Sequence, residues 1–203
     1  MGDFKNILVC GGLPRAGTTF LYTEISNYNK VFSSYIKESY FFNQPEFIID
    51  FKLRMFRREK IYLDFTPEYI FNKTTLQRIM DRKINCFIVI REYSDYRKSL
   101  EKYLAINKIN NKFLKSMGEE EFYEAVNFAR NNFLTFNFNE VISSPNSVVL
   151  KLSEYFNIDF GVKVGSSQKL NSSKKREHFF ASFVNNYFGM PVKKLKAFFF
   201  GCI

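Results

Sequence analysis

Apolar residues in this chain gather in short unbroken runs, and the stretches between those runs carry a helical period. Asn6–Cys10 leads into Gly11-Gly12, Ile61–Phe65 is stopped by Thr66-Pro67, and Cys86–Ile90 is the clearest apolar run of all. Runs of this length, bounded by turn residues, predict buried strands. Val31–Tyr35 and Leu134–Phe138 are also predicted as strands. Thr18–Tyr28, Pro45–Arg58, Thr74–Asp81, Tyr93–Ile106, Glu119–Asn131 and Pro145–Phe156 predict helices. In the last of these Val149, Leu152 and Phe156 share one face. Gly161–Lys175 reads as a loop rich in Gly, Ser and Lys. Strands alternating with helices predict an α/β fold, a parallel sheet with helices on both faces. There is no internal repeat and no linker, so residues 1–203 are expected to form a single domain.

Charge adds to this picture. The formal net charge is +10, which favours anionic partners: nucleic acid, an anionic membrane, or phosphorylated and sulfated small molecules. No apolar run approaches the roughly 18–20 residues needed to cross a bilayer. The N-terminal segment lacks the pattern of a secretory signal, and Asn6 stands where a myristoylation motif has Ser or Thr. A cytoplasmic protein with no membrane span is expected. Cys10, Cys86 and Cys202 are too few and too scattered for a disulfide framework. With a single histidine and no CxxC pair, no metal site is expected.

The most informative segment is Gly12-Leu-Pro-Arg-Ala-Gly-Thr-Thr19. It follows a predicted strand and opens a predicted helix, the context of a phosphate-binding loop. Backbone N–H groups in such a turn converge on one point, and the helix N-terminus adds a positive end. Gly17 allows close approach of an anion, and Thr18 and Thr19 offer hydroxyl donors. The glycine spacing matches the Walker pattern, but Thr18 occupies the place of its lysine, and the cation comes earlier, at Arg15. The sheet is therefore expected to be of P-loop type without the Walker lysine.

Pro14-Arg15-Ala16-Gly17-Thr18-Thr19 resembles the 5′-phosphosulfate loop of sulfotransferases that use the donor PAPS. Four further segments follow in the order of that family, most similar to its heparan sulfate branch. Lys37-Glu38-Ser39-Tyr40-Phe41-Phe42 resembles a segment that carries a glutamate before paired aromatics. Asp64-Phe65-Thr66-Pro67-Glu68-Tyr69 resembles a Thr/Ser-Pro-x-Tyr segment, with Phe65 where the branch has a lysine. Arg91 and Ser99 resemble the pair that holds the 3′-phosphate. Ser173-Lys174-Lys175-Arg176 is similar to a late basic loop that closes over the donor.

The resemblance implies a nucleotide donor, PAPS, its product PAP, and an acceptor hydroxyl. It implies donor contacts from Arg15, Ala16, Gly17, Thr18, Thr19, Arg91, Ser99, Ser173, Lys174, Lys175 and Arg176. PAPS carries anionic groups at both ends of its ribose, so two anion sites are needed. Glu38 is the candidate general base, with Tyr40, Phe41 and Phe42 expected to shield it from water. Arg15 and Lys37 are candidates for stabilising the developing negative charge. The acceptor is open among carbohydrate, small phenol or alcohol, lipid and peptide tyrosine, and no specific nucleic acid is expected. A P-loop kinase and a non-catalytic nucleotide- or nucleic-acid-binding protein share some of these features. The missing Walker lysine argues against the kinase, and core packing accounts for most of the 26 Phe and 12 Tyr.

Overall fold

The structure is a computed structural model that describes residues 4–32, 37–55, 59–107 and 118–164. Met1–Gly161 forms one compact unit and Val162–Ile203 a second, nearly all of which lies outside the described residues.

Five strands form one parallel sheet, β1 (Ile7–Gly12), β2 (Val31–Phe32), β3 (Ile61–Phe65), β4 (Asn85–Ile90) and β5 (Leu134–Asn137), in the order β2-β3-β1-β4-β5. The register places Val9 of β1 between Asp64 of β3 and Cys86 of β4. Leu8, Val9, Cys10, Phe87, Ile88 and Val89 are wholly buried, as expected for central strands covered on both faces. Helix α1 (Thr18–Ser26) follows β1. Next come α2 (Glu46–Met55), α3 (Lys73–Asp81), α4 (Tyr93–Asn107), α5 (Glu119–Asn132), α6 (Phe138–Ser143) and α7 (Pro145–Phe156). After β1 the chain moves one way along the sheet, and after β2, β3 and β4 it moves the other way. With right-handed crossovers, these connections lie on opposite faces. The predicted architecture, a parallel α/β sheet with helices on both faces, is the one observed. The loop after β1 is thereby left at the point where the winding reverses, the place where open α/β sheets bind ligands.

Aromatic residues tie the sheet together across its strands. The rings of Phe65 and Phe87 lie 5.7 Å apart and those of Phe87 and Phe136 lie 5.8 Å apart. Tyr22 of α1 meets Phe65 edge-on at 5.3 Å. Phe65, which stands where the resembled segment has a lysine, is therefore a core residue beneath α1 and presents no cation.

Several predicted boundaries shift. Helix α1 stops at Ser26, with Asn27 as its C-cap. Helix α3 starts one residue early because the Asn72 side chain accepts the Thr75 N–H at 3.0 Å, a typical N-cap contact. Two 3₁₀ turns, Phe41–Asn43 and Pro67–Phe71, had no separate prediction. The strand predicted to end at Phe138 ends at Asn137, and Phe138 opens α6. Asn137 is a residue type favoured before a helix, and the next ring turns out of the strand direction to pack against the β1 loop.

Candidate active site

The Gly12–Thr19 loop is shaped by its backbone. Gly12 has φ +152, and a Cβ there would lie 2.5 Å from the Val89 carbonyl oxygen. Only glycine allows this approach of β1 to β4. The Leu13 N–H then bonds the same carbonyl at 3.0 Å. Arg15 and Gly17 both take left-handed conformations, with φ 68 and 84, while Ala16 between them is buried and donates to the Leu13 carbonyl at 3.1 Å. Gly17 is the N-cap of α1, with no side-chain cap and no acidic residue in the first turn. The first N–H groups of α1 thus have no partner inside the helix and form a positive end suited to an anion. Thr18 is buried in this turn and Thr19 is exposed.

Arg91 leaves the end of β4 beside this loop. Its Nη1 donates to the Arg15 carbonyl at 3.0 Å, and its guanidinium lies over the Phe138 ring, 4.1 Å from the centroid. Its Nε is buried without a hydrogen-bond partner among the described residues. The Arg15 guanidinium lies 4.8 Å from the ring centroid of Tyr103 on α4. Ser99 precedes Tyr103 by one helical turn, which puts both on the same side of α4. The helix face that meets Arg15 is therefore also the face that carries Ser99.

The other wall is built around a buried carboxylate at the end of β3. Asp64 is 5% exposed. Its Oδ1 accepts from Ser39 Oγ and Thr66 Oγ1, each at 2.8 Å, and its Oδ2 accepts from Tyr69 Oη at 2.6 Å. Thr66 Oγ1 accepts the Tyr40 N–H at 3.3 Å, and Tyr69 Oη accepts the Phe42 N–H at 3.0 Å. The Thr-Pro-x-Tyr segment is thus the clamp that holds the Lys37–Phe42 segment against the sheet. Burial pushes the Asp64 carboxyl above its usual range, against the pull of hydrogen bonds from Tyr69, Thr66 and Ser39 and of the Lys52 charge. Tyr69 is pushed well up by burial and by its contact with Asp64. Burial likewise raises Cys10, while the charge of Lys37 pulls that thiol down. Lys37 lies two residues before Ser39, which bonds Asp64 at the end of β3.

Lys37 and Glu38 pair at 2.6 Å, and the Glu38 side chain is 46% exposed. The rings of Phe41 and Phe42 are buried in the core, so these aromatics anchor the segment and leave the Glu38 carboxylate open to water. Tyr40 has φ 48 and donates its hydroxyl to Glu68. Tyr40 and Glu68 also line a cleft of about 700 Å³, together with Phe71, Asn72 and Phe128.

The structure brings Arg15, Ala16, Gly17, Thr18, Thr19 and Arg91 together directly and places Ser99 on the α4 face that meets Arg15, while Lys37 and Glu38 belong to the segment held by the Asp64 clamp. Ser173, Lys174, Lys175 and Arg176 lie outside the described residues. Asp64, Tyr103 and Phe138 were not singled out as site residues. The one available signal was at Asp64: a carboxylate inside an apolar strand, followed by Thr66 and Tyr69. Among the described residues no group of three or more His, Cys, Asp or Glu side chains converges as a metal site, and no helix is long and apolar enough to cross a membrane.

No protein-family model and no curated protein sequence matches the chain. Among solved structures, a sulfotransferase from Alicyclobacillus acidocaldarius aligns with a TM-score of 0.56 at 16% identity, over 98% of this chain and 96% of that one. A mouse sulfotransferase, SULT7A1, complexed with PAP, aligns with a TM-score of 0.52 at 13% identity, over 84% of this chain and 63% of that one. At these identities the likeness is one of fold, and the fold this chain adopts is the one seen in these two sulfotransferases.

Proposed function

We propose that the protein is a sulfotransferase that moves a sulfuryl group from PAPS to an acceptor hydroxyl, within a single domain spanning 1–203. The observation that carries this reading is the pairing of two anion-binding groups at the reversal point of the sheet. One is the Gly12–Thr19 loop, with left-handed Arg15 and Gly17 and an uncapped helix start. The other is Arg91, bound to that loop through the Arg15 carbonyl and holding a buried Nε donor without a partner among the described residues. A nucleotide with one anionic group on each side of its ribose fits this arrangement, and a mononucleotide with only a 5′-phosphate leaves Arg91 unused. The solved structure of the mouse sulfotransferase with PAP supports the choice of nucleotide.

In this reading Ala16, Gly17, Thr18 and Thr19 take the 5′-phosphosulfate, and Arg91 with Ser99 takes the 3′-phosphate. Ser173, Lys174, Lys175 and Arg176, which lie outside the described residues, are assigned to the donor only by the resemblance of their segment. The acceptor is a carbohydrate or another hydroxyl compound. The acceptor oxygen attacks sulfur in line, forming the new S–O bond as the bond from sulfur to the 5′-phosphate oxygen breaks. The acceptor proton goes to the Glu38 carboxylate, and PAP leaves with the electron pair. Arg15 and Lys37 stabilise the charge that grows on the leaving phosphate, a contribution that is strong where donors are preorganised. No metal enters this scheme, and the work is set in the cytoplasm. The Thr66-Pro67-x-Tyr69 clamp supports a place near the heparan sulfate branch, while the buried Phe65 sets the chain apart from it.

The test is incubation with isotopically labelled PAPS and a panel of hydroxyl acceptors, read by mass spectrometry. Label is expected on an acceptor, with PAP as co-product. Glu38→Gln should lower the single-turnover rate by about 10²-fold or more with PAP affinity nearly unchanged. Transfer by Glu38→Gln at the parent rate would remove Glu38 as the base. Phosphoryl transfer from ATP with no use of PAPS would replace the whole reading with a kinase.

A further inference from the structure

We infer that Phe138 is a positioning residue for the 3′-phosphate: its ring seats the Arg91 guanidinium beside the Gly12–Thr19 loop and so sets the spacing between the two anion-binding groups. This rests on the donor assignment above and deepens it, since it names what makes the site selective for a 3′-phosphorylated nucleotide.

The Phe138 ring touches both halves of the site. On the loop side, a Cβ built on Gly17 would meet Phe138 Cδ2 at 3.3 Å and Cε2 at 3.5 Å, so the ring lies directly against the N-cap of α1. On the β4 side, the Arg91 guanidinium carbon lies 4.1 Å from the centroid of the same ring. A long arginine side chain has several torsions and loses much freedom when it is fixed. Stacking on an aromatic face restrains it, because the ring attracts the cation and matches its flat shape. Stacking also leaves the in-plane N–H donors free to bind. One of them, Nη1, is used on the Arg15 carbonyl. The buried Nε is not used among the described residues.

The ring and the Arg15 carbonyl together give Arg91 one orientation relative to the loop. A nucleotide whose 5′ group sits on the loop then finds the guanidinium already in place. The seat is the first residue of the short helix α6, immediately after β5 ends at Asn137.

The test compares PAP with AMP by calorimetry on the full chain. Phe138→Leu keeps an apolar contact for Gly17 but removes the aromatic face. PAP affinity should fall roughly 3- to 30-fold, the range expected for a lost cation–π contact, while AMP affinity changes by less than about twofold. A second variant carries a ring-fluorinated phenylalanine at position 138, which keeps the shape and drains charge from the ring face. It too should weaken PAP and spare AMP, and it serves where Leu disturbs folding. Parallel losses for PAP and AMP, or full PAP affinity in both variants, would overturn the inference and leave the donor assignment standing. A parent protein that binds PAP no better than AMP would overturn the donor assignment, and the inference with it.

Discussion

The two walls of the candidate site are built in different ways. The loop wall is made of backbone: glycine at Gly12 and Gly17, left-handed Arg15, and strand β4 pressed against it through Val89. The opposite wall is made of side chains gathered on one buried carboxylate, with Ser39, Thr66 and Tyr69 all donating to Asp64. A backbone wall tolerates little steric change but does not depend on pH. A wall clamped by a carboxylate tolerates isosteric change but responds to protonation. This difference can be tested on each side.

The largest effect is expected from the loop wall. Gly12→Ala sets a Cβ 2.5 Å from the Val89 oxygen at a φ of +152. Overpacking and backbone strain together should cost on the order of 2–5 kcal/mol. Urea denaturation checks the loss, and PAP binding should vanish with it. A fully stable Gly12→Ala protein would break the claim that β4 fixes the loop.

A smaller and pH-dependent effect is expected from the clamp. Burial raises the Asp64 pKa above its ordinary value of 3.8. The group's contribution is therefore fully present below that value and declines as pH rises through the native pKa, because the unfolded chain ionises first. Asp64→Asn loses one or more hydrogen bonds and should cost about 1–3 kcal/mol near pH 4. The stability gap to the parent should then narrow as pH increases. A gap that widens with pH would reverse the sign assigned to Asp64. The smallest effect belongs to the exposed stack of Arg15 on Tyr103. Tyr103→Leu should weaken donor binding by about 0.5–1 kcal/mol, measured by calorimetry, with no change in denaturation midpoint.

The contrast also explains what could be read from the chain alone. The loop was legible because its chemistry is local: a strand, two glycines at fixed spacing and a helix start lie within one short segment. The α/β fold was legible for the same reason, from continuous runs such as Cys86–Ile90. The clamp was only half legible. Thr66-Pro67-x-Tyr69 could be matched as a pattern, but its purpose depends on contacts with Ser39, Tyr40 and Phe42, which are distant in sequence. The aromatics after Glu38 read as a shield for the carboxylate, yet Phe41 and Phe42 point into the core and Glu38 is half exposed. Phe138 was hidden because a phenylalanine at the end of an alternating run reads as strand. Only the fold shows that its ring meets Gly17 and Arg91.

The central claim is that the Gly12–Thr19 loop and Arg91 form one site for a nucleotide with anionic groups on both sides of its ribose. The most direct measurement is calorimetric binding of PAP and AMP to the parent protein and to Arg91→Ala. The parent is expected to bind PAP far more tightly than AMP. Arg91→Ala should lose about 1.5–3 kcal/mol of PAP affinity while its AMP affinity hardly changes. Equal affinities for PAP and AMP in the parent, or an Arg91→Ala protein with the full preference for PAP, would contradict it.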